Sequence, residues 1–251
     1  MAQFKDHFSA HAAHYRDARP LYPAELFAAL AALTPAHDLA WDAGCGNGQA
    51  SVALAAHFAK VHASDPSAPQ IDNAQVHARV HYEVAPAEQC SLDAASTDLV
   101  TVAQALHWFD VQGFHAQVRR VLKPGGVIAE WGYAECSVMP EVDALGNGLY
   151  AGVLGAYWPP ERAHIEAGYT TLEFPFEPLT LPTLQMTAAW DLSQYLAYLA
   201  SWSALQCYRR ERGADPLEAM SDAFVRAWGG DAEAVREVRW KLFARAGRWS
   251  G

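Results

Sequence analysis

The sequence lacks the features that mark secreted and membrane-spanning proteins. Its four cysteines are scattered and form no CxxC pair, which argues against a disulfide framework and favours a reducing compartment. No stretch of 18 uncharged apolar residues occurs, and the opening "MAQFKDHFSAHAAHYRD" has no apolar run of the kind found in signal peptides. We therefore expect a cytoplasmic protein with no membrane partner.

Basic residues are also scarce. The 18 Lys and Arg face 28 Asp and Glu, for a formal net charge of −10, and no run of Lys or Arg appears. Nucleic-acid binders need a basic face, so no nucleic-acid partner is expected. What is present is apolar: 51% hydrophobic residues in a chain of 251, enough for the core of one large α/β domain.

From residue 38 onward, short apolar runs alternate with helical patterns. The candidate strands are 38–43, 61–65, 80–84, 98–103 and 127–131, with helical segments near 48–58, 67–76 and 110–121. Strands separated by helices in this way predict βαβ crossovers and a parallel sheet covered on both faces. We expect an α/β fold with a Rossmann-like, doubly wound, mostly parallel seven-stranded sheet and a helical cap.

The remaining segments predict the cap and the end of the sheet. Helices are expected at 4–17, 23–33, 140–157, 191–211 and 215–228, strand-like runs at 170–176 and 183–188, and a late strand around residues 238–242. The whole chain, 1–251, is expected to form a single domain. It divides into N-terminal lid helices (1–37), a cofactor-binding core (38–133), a cap insertion with a late strand (134–230) and a C-terminal strand (231–251).

A glycine-rich turn follows the first predicted strand, with Gly44, Gly46 and Gly48 at alternate positions. Asp65 ends the second strand, 21 residues after Gly44, where a carboxylate can accept both hydroxyls of a bound ribose. Asp42 would repel a pyrophosphate at the following helix N-terminus but would attract a cation. S-adenosylmethionine (SAM) carries a ribose, an ammonium and a sulfonium but no phosphate, so it is the predicted ligand. Two alternatives to SAM remain: the loop could bind a nicotinamide dinucleotide, or its glycines could serve only helix–strand packing.

Several motifs resemble those of a known family. "WDAGCGNGQ", the strand-end Asp65, "APAEQCSLDAASTDLVTVAQALHWFD" and "VRRVLKPGGVIAEWGY" resemble successive motifs of class I SAM-dependent methyltransferases, over about residues 38–133. "FSAHAAHYRDARPLYPAELF" and "LASWSALQCY" resemble the type 11 branch, which includes trans-aconitate methyltransferase-like enzymes. The resemblance implies an enzyme that transfers a methyl group from SAM to a small organic acceptor, with a carboxylate oxygen as the expected site.

The resemblance also implies which residues form the site. The expected cofactor-binding residues are Tyr15, Arg19, Asp42, Gly44, Cys45, Gly46, Asp65, Pro66, Ser67, Ala87, Glu88, Gln104 and Ala105. The expected acceptor-binding residues are Tyr22, His107, Trp108, Trp131 and Tyr133. Three of these have structural alternatives: Arg19 could fix the Pro-rich turn, Glu88 could be a solvated acid at a helix start, and Gln104 could cap the next segment.

The expected chemistry makes few demands on the protein. The methyl group is already activated, and good alignment alone can supply about 7–11 kcal/mol of the barrier. A carboxylate acceptor needs no base, whereas a hydroxyl or a protonated amine does, and His107 is the candidate for that base.

His7, His11 and His14 share one helix face, but no further motif completes a metal site, so no metal is expected. A nicotinamide-dependent oxidoreductase and a SAM-binding regulator without catalysis remain the other readings of the chain.

Overall fold

The computed structural model describes residues 19–251. The predicted helix over residues 4–17, the three histidines on it and Tyr15 lie outside the described residues, so the expectations placed on them stay predictions.

A single twisted sheet runs through the molecule. Its strands are β1 (Leu39–Ala43), β2 (Lys60–Asp65), β3 (Val80–Val84), β4 (Thr97–Ala103), β5 (Leu122–Ser137), β6 (Glu177–Leu179), β7 (Met186–Trp190) and β8 (Arg236–Arg248). They follow the order β3-β2-β1-β4-β5-β8-β6, with β7 also paired to β8. The first five strands are parallel and β8 runs antiparallel to β5. The predicted Rossmann-like fold is confirmed.

The sheet has eight strands where seven were expected. The reason is the length of β8, which spans 13 residues. One side of β8 pairs with β5, while its other side pairs with β7 at the start and with β6 at the end. Two short strands therefore share one edge of the long one.

Helices cover both faces of the sheet and form the cap. The sheet helices are α1 (Ala24–Leu33), α2 (Gln49–Leu54), α3 (Ala68–Asp72) and α4 (Val111–Val121). The cap helices are α5 (Pro140–Asn147), α6 (Arg162–Glu166), α7 (Leu192–Ala200), α8 (Ser203–Arg212) and α9 (Pro216–Ala227), and a 3₁₀ turn spans Leu106–Trp108. Within residues 19–251, no helix is long and apolar enough to cross a membrane.

Two predicted cap helices are interrupted. The segment 140–157 leaves the α-helical path after Asn147 and continues as a π-helical stretch and a 3₁₀ turn, in a segment whose glycines make such departures inexpensive. The segment 191–211 breaks at Ser201, whose hydroxyl donates to the carbonyl of Tyr198 at 2.6 Å, and at Trp202, whose backbone is extended. A local hydroxyl bond of this kind competes with helix continuation.

The strand-like run predicted at 170–176 is wrong. Pairing with β8 begins only at Glu177, because Pro175 has no backbone N–H to give to a ladder. The carbonyl of Leu172 is satisfied instead by the side chain of Arg245, at 3.0 Å. Apolar side chains of this segment still pack against the core, which explains the strand-like pattern.

The core falls into three clusters that fix where a ligand can bind. One lies under α1 and α2 on one face of the sheet, a second lies under α4 on the other face, and a third fills the cap. The cap cluster includes Tyr133 near the end of β5. The cap therefore packs beside the carboxyl ends of the parallel strands, where open α/β sheets bind their ligands.

Candidate active site

The glycine loop joins β1 to α2 in a conformation that requires glycine. Gly44, Gly46 and Gly48 all have positive φ, at +66°, +54° and +86°. A Cβ atom on Gly44 would lie 2.7 Å from the Cβ of Ala105, and one on Gly48 would lie 2.1 Å from the hydroxyl oxygen of Tyr82. The loop is therefore wedged between the residues after β4 and the strand β3, whereas a Cβ on Gly46 would meet no atom of residues 19–251 closer than 4.0 Å.

Asp65 holds this loop and the next turn together. Its carboxylate accepts the backbone N–H of Gly46 at 2.9 Å and that of Ser67 at 2.9 Å, one on each oxygen. The residue is 9% exposed. A carboxylate at the end of the second strand is the group that accepts ribose hydroxyls in nucleotide-binding α/β folds.

Asp42 is completely buried two residues before Gly44. Ser51 donates to one carboxylate oxygen at 2.6 Å and Thr101 to the other at 3.0 Å. Burial, together with the nearby negative charge of Asp65, raises the pKa of Asp42 to about 6. At neutral pH the site therefore holds a negative charge near the loop.

Cys45 lies in the loop between these acids. Burial, followed by the charges of Asp42 and Asp65, raises the pKa of its thiol well above the usual range. The thiol is therefore neutral at physiological pH, and Cys45 contributes its backbone and bulk rather than a nucleophile.

Gln70 is a site residue that the sequence analysis missed. It lies on α3, is 5% exposed, and its side-chain oxygen has no hydrogen-bond partner among residues 19–251. That oxygen lies 4.0 Å from where a Cβ on Gly46 would be. A buried amide oxygen calls for a donor, and the hydroxyls or the amine of a bound adenosine would supply one. The residues present therefore fit an adenosyl cofactor.

The expected adenine-side residues follow β3. Ala87 is buried against the core cluster that contains α4. Glu88 accepts the backbone N–H of Asp110 at 2.8 Å, at the start of α4. One carboxylate oxygen of Glu88 thus serves the fold, and a contact of Glu88 with adenine stays a prediction.

Gln104 fastens the end of β4 to β5. Its amide nitrogen donates to the carbonyl of Tyr133 at 3.0 Å and its amide oxygen accepts the N–H of Tyr133 at 2.9 Å. Its own backbone has φ +56° and donates to Trp131. The side chain is committed to the backbone of the neighbouring strand, so a contact with the methionine carboxylate of the cofactor also stays a prediction.

Trp131 lies on β5 and is fully buried, at 0% exposed. The ring of Tyr22 meets it edge-on at 5.6 Å and also lies 6.3 Å from the ring of Tyr133. The indole therefore supports Tyr22, and its indole N–H has no hydrogen-bond partner among residues 19–251. The expectation that Trp131 is a wall of the acceptor pocket stays a prediction.

Arg19 connects the sheet to the cap. Its guanidinium donates to the hydroxyl of Tyr133 at 3.0 Å and to the carbonyl of Ser201 at 3.2 Å. The neighbouring Pro20 is held by the side chain of Gln49, which donates to its carbonyl at 3.0 Å. The segment that begins at Arg19 therefore ties the helix of the glycine loop to the end of α7.

His107 and Trp108 lie on the 3₁₀ turn after β4, with ring centroids 4.7 Å apart. The Nδ1 atom of His107 lies 3.2 Å from the hydroxyl oxygen of Tyr169. Burial, followed by the positive charge of Arg162 and the neighbouring His164, lowers the pKa of His107 to about 3. An imidazole with so low a pKa is a weak base, which argues against the general-base role considered for His107.

No group of three His, Cys, Asp or Glu side chains that could hold a metal ion occurs in the described part of the chain. The histidine row at residues 7, 11 and 14 lies outside that part, so the expected absence of a metal remains a prediction.

The fold and the site together define a class of protein. A mostly parallel sheet carries a glycine-rich loop after its first strand and an acidic residue at the end of its second, which is the arrangement of nucleotide-cofactor enzymes of the α/β class. Comparison with known proteins narrows the class. Residues 41–129 match a family model of type 11 described as a methyltransferase domain.

Relatives along nearly the full chain give the same assignment. A methyltransferase-family protein of Dictyostelium discoideum is 31% identical over 240 residues, which cover 93% of this chain and 91% of that protein. A SAM-dependent methyltransferase-family protein of Saccharomyces cerevisiae is 24% identical over 249 residues, 85% of each chain. A solved structure from Anaeromyxobacter dehalogenans, described as a type II methyltransferase, is 48% identical, covers 92% of this chain and 97% of its own, and superposes with a TM-score of 0.85.

The chain belongs to the SAM-dependent methyltransferases. It is a methyltransferase whose cofactor is SAM, and the resemblance of its motifs to the class I enzymes is confirmed.

Proposed function

We propose that this enzyme transfers the methyl group of SAM to a carboxylate oxygen of a small organic acid, as trans-aconitate methyltransferase-like enzymes do. The observation that carries the proposal is the position of Arg19, whose guanidinium bonds to Tyr133 where β5 meets the cap. A guanidinium is suited to bind a carboxylate through two parallel hydrogen bonds. An acid held there by one carboxylate would present a second carboxylate to the carboxyl ends of the strands.

The low pKa of His107 supports the same acceptor. When bound, SAM would supply a methyl group on a sulfonium, and a nucleophile can take up that methyl group directly as the S–CH₃ bond breaks and S-adenosylhomocysteine leaves. A carboxylate is already ionised at neutral pH and needs no proton removed, whereas an alcohol or an ammonium does. Since His107 is a weak base with a pKa of about 3, an acceptor that needs no base is favoured.

We also propose roles for the residues on the cofactor side. The glycine loop (Gly44 to Gly46) would pack on the methionine part of SAM, and the ionised Asp42 would favour its two positive charges. Asp65 would accept the ribose hydroxyls, with Pro66 and Ser67 beside it. Ala87 and Glu88 would lie at the adenine, Gln104 and Ala105 at the methionine end, and Tyr15 would close over the cofactor with the lid.

The acceptor would lie among Tyr22, His107, Trp108 and Tyr133. The division of the chain into a lid (1–37), a core (38–133), a cap (134–230) and a C-terminal strand (231–251) belongs to the same proposal. So do a cytoplasmic location and a small molecule, rather than a nucleic acid, as the partner.

The proposal is tested by a matched acceptor screen. Purified enzyme is incubated with SAM and with small di- and tricarboxylic acids, each paired with the amide and the alcohol of the same skeleton, and products are identified by mass spectrometry. Methyl esters from the acids alone are the expected products. Methylation of an alcohol or an amine, with every acid unchanged, would contradict the proposal.

Arg19→Gln then tests the observation on which the proposal rests. It should raise the KM for the acid about 10- to 100-fold, the value of one charge-assisted pair, while the Kd for SAM stays within about twofold. Arg248→Gln is the matched control and should leave both constants unchanged. Like Arg19, Arg248 donates from both terminal nitrogens of its guanidinium to other parts of the chain, here the carbonyls of Gly125 and Leu33. A weaker SAM affinity with an unchanged KM for the acid would assign Arg19 to the cofactor instead.

A further inference from the structure

Tyr169 is completely buried and comes from the turn that follows α6. Its phenol oxygen lies 3.2 Å from Nδ1 of His107, on the 3₁₀ turn after β4. A buried hydroxyl group calls for a hydrogen-bond partner that accepts its hydrogen.

This arrangement decides where the phenol proton goes. A hydroxyl has a single hydrogen to donate, and leaving that hydrogen without an acceptor inside the protein is costly. The hydrogen must point to an acceptor, and the atom that Tyr169 faces is Nδ1 of His107, at 3.2 Å. Burial raises the pKa of the phenol above its usual range, so the proton stays on Tyr169 and Nδ1 of His107 stays bare.

We propose that Tyr169 is a positioning residue that holds His107 as the neutral tautomer protonated on Nε2, so that His107 meets the methyl acceptor as a hydrogen-bond donor and not as a base. The part about the acceptor rests on the proposed function, which places the acid at His107. A donor at this point would hold the acid's second oxygen, leaving the first to attack the methyl group. Among residues 19–251 no side chain is hydrogen-bonded to Nε2, which leaves it for the acceptor.

The backbone of Tyr169 is fixed by the rest of the fold. Its φ is +60°, an uncommon value for a non-glycine residue. Arg245 donates to its carbonyl at 2.9 Å, and Arg245 is itself paired with the buried Glu130, whose oxygen lies 2.6 Å from its Nε. A strained residue that the surrounding structure holds in place is a common feature of functional sites.

The charged groups near the imidazole favour the same state. From α6, the positive charge of Arg162 acts on His107, and His164 also lowers its pKa; Glu130 and Arg245 act on Tyr169. The positive charges disfavour an imidazolium, so His107 stays neutral, and the positive surroundings also suit an anionic acceptor.

The tautomer can be measured directly, without substrate. Two-dimensional ¹⁵N NMR of the histidine rings distinguishes a protonated ring nitrogen from a bare one, and comparison with His107→Gln identifies the His107 signals. We expect Nδ1 bare and Nε2 protonated, unchanged between pH 5.5 and 8. A ring protonated on Nδ1, or one that becomes an imidazolium in this range, would overturn the proposal whatever the acceptor is.

Two amide variants of His107 test, through their methyltransferase activity, whether Nε2 acts as a hydrogen-bond donor to the acceptor. Gln at position 107 can place an N–H donor near the position of Nε2, whereas Asn reaches only the position of Nδ1. His107→Gln should keep kcat/KM within about fivefold of the wild type, and His107→Asn should lower it about 10- to 100-fold. Equal losses in both variants, joined to a pH-dependent kcat/KM in the wild type, would show a base and overturn the proposal.

Tyr169→Phe supplies the last comparison. The variant keeps the ring and removes the phenol hydrogen, so the His107 tautomer should become mixed in the same NMR experiment. A tautomer still protonated wholly on Nε2 in folded Tyr169→Phe would remove Tyr169 from the proposal. If this variant does not fold, the wild-type NMR result and the amide pair still decide. A failure of every acid in the acceptor screen would reject the proposed function but leave the tautomer result standing.

Discussion

Asp42 is a single buried carboxylate whose charge changes close to neutral pH. Its two oxygens are bonded to the hydroxyls of Ser51 and Thr101, and burial raises its pKa to about 6. Above pH 6 the group is negative, and below it the group is neutral. A ligand that carries an ammonium and a sulfonium should therefore bind less well as the pH falls through 6.

The negative charge that Asp42 gains above pH 6 makes SAM binding depend on pH. SAM affinity should rise between pH 5 and pH 7 and then level off, and Asp42→Asn should bind SAM with an affinity that is flat over this range. Calorimetric titration at four pH values measures both. The same rise in Asp42→Asn as in the wild type would mean that another group titrates.

Whether a single site residue could be predicted depends on whether its evidence lies in nearby positions of the sequence or only in the folded structure. Asp65 could be recognised as a candidate from the sequence, because its distance from the glycines and its place at a strand end can be read along the chain. Gln70 and Tyr169 could not be assigned. Gln70 matters because β1 brings Gly46 beside it, and Tyr169 because it meets a histidine 62 residues earlier in the chain.

The glycine loop is the element on which the cofactor site depends. Gly44 combines φ +66° with a Cβ position 2.7 Å from Ala105, so alanine there meets both backbone strain and a clash. Gly125 has φ +81° and nothing within 4 Å of its Cβ position, so alanine there meets the strain alone. The two positions separate the two effects.

Gly44→Ala should therefore destabilise the protein by about 1–3 kcal/mol more than Gly125→Ala, the usual cost of overpacking. It should also weaken SAM binding, which Gly125→Ala should not. Urea denaturation gives the first comparison and calorimetry the second. Equal stability losses in the two variants would show that the contact with Ala105 relaxes freely.

At the same scale, the elements differ in how well they could be predicted. The central strands β1 and β4 carry short, mostly apolar runs next to helical segments, a pattern that buried strands produce locally. The cap helices end where tertiary packing and local bonds end them, as at Ser201. The run at 170–176 shows the limit of the apolar pattern, since the side chains pack but Pro175 and Arg245 prevent a ladder.

Across the whole molecule, a buried ionic network joins the sheet to the segment that carries Tyr169. Glu130 on β5 is bonded to His115 of α4 at 2.8 Å and to Arg245 of β8 at 2.6 Å. Arg245 extends the network to the carbonyls of Tyr169 and Leu172. Glu130 is completely buried, so its charge depends on these partners.

Arg245→Met should cost about 3–5 kcal/mol of stability, because it leaves a buried carboxylate without its cation. The double variant Glu130→Met/Arg245→Met should recover part of that loss, since removing both charges is less costly than removing one. Chemical denaturation of the two single variants and the double variant measures the coupling. Additive losses would mean that the pair contributes nothing beyond its separate contacts.

The central claim is that the glycine loop and Asp65 form a SAM site, and calorimetric titration tests it most directly. Wild-type protein, Asp65→Ala and the control Asp72→Ala, which removes an exposed carboxylate on α3, are each titrated with SAM, S-adenosylhomocysteine and NADH. Micromolar binding of the two adenosyl ligands to the wild type and to Asp72→Ala is expected, with that binding lost in folded Asp65→Ala and none to NADH. Tight binding of NADH without SAM, or undiminished SAM binding by Asp65→Ala, would contradict it.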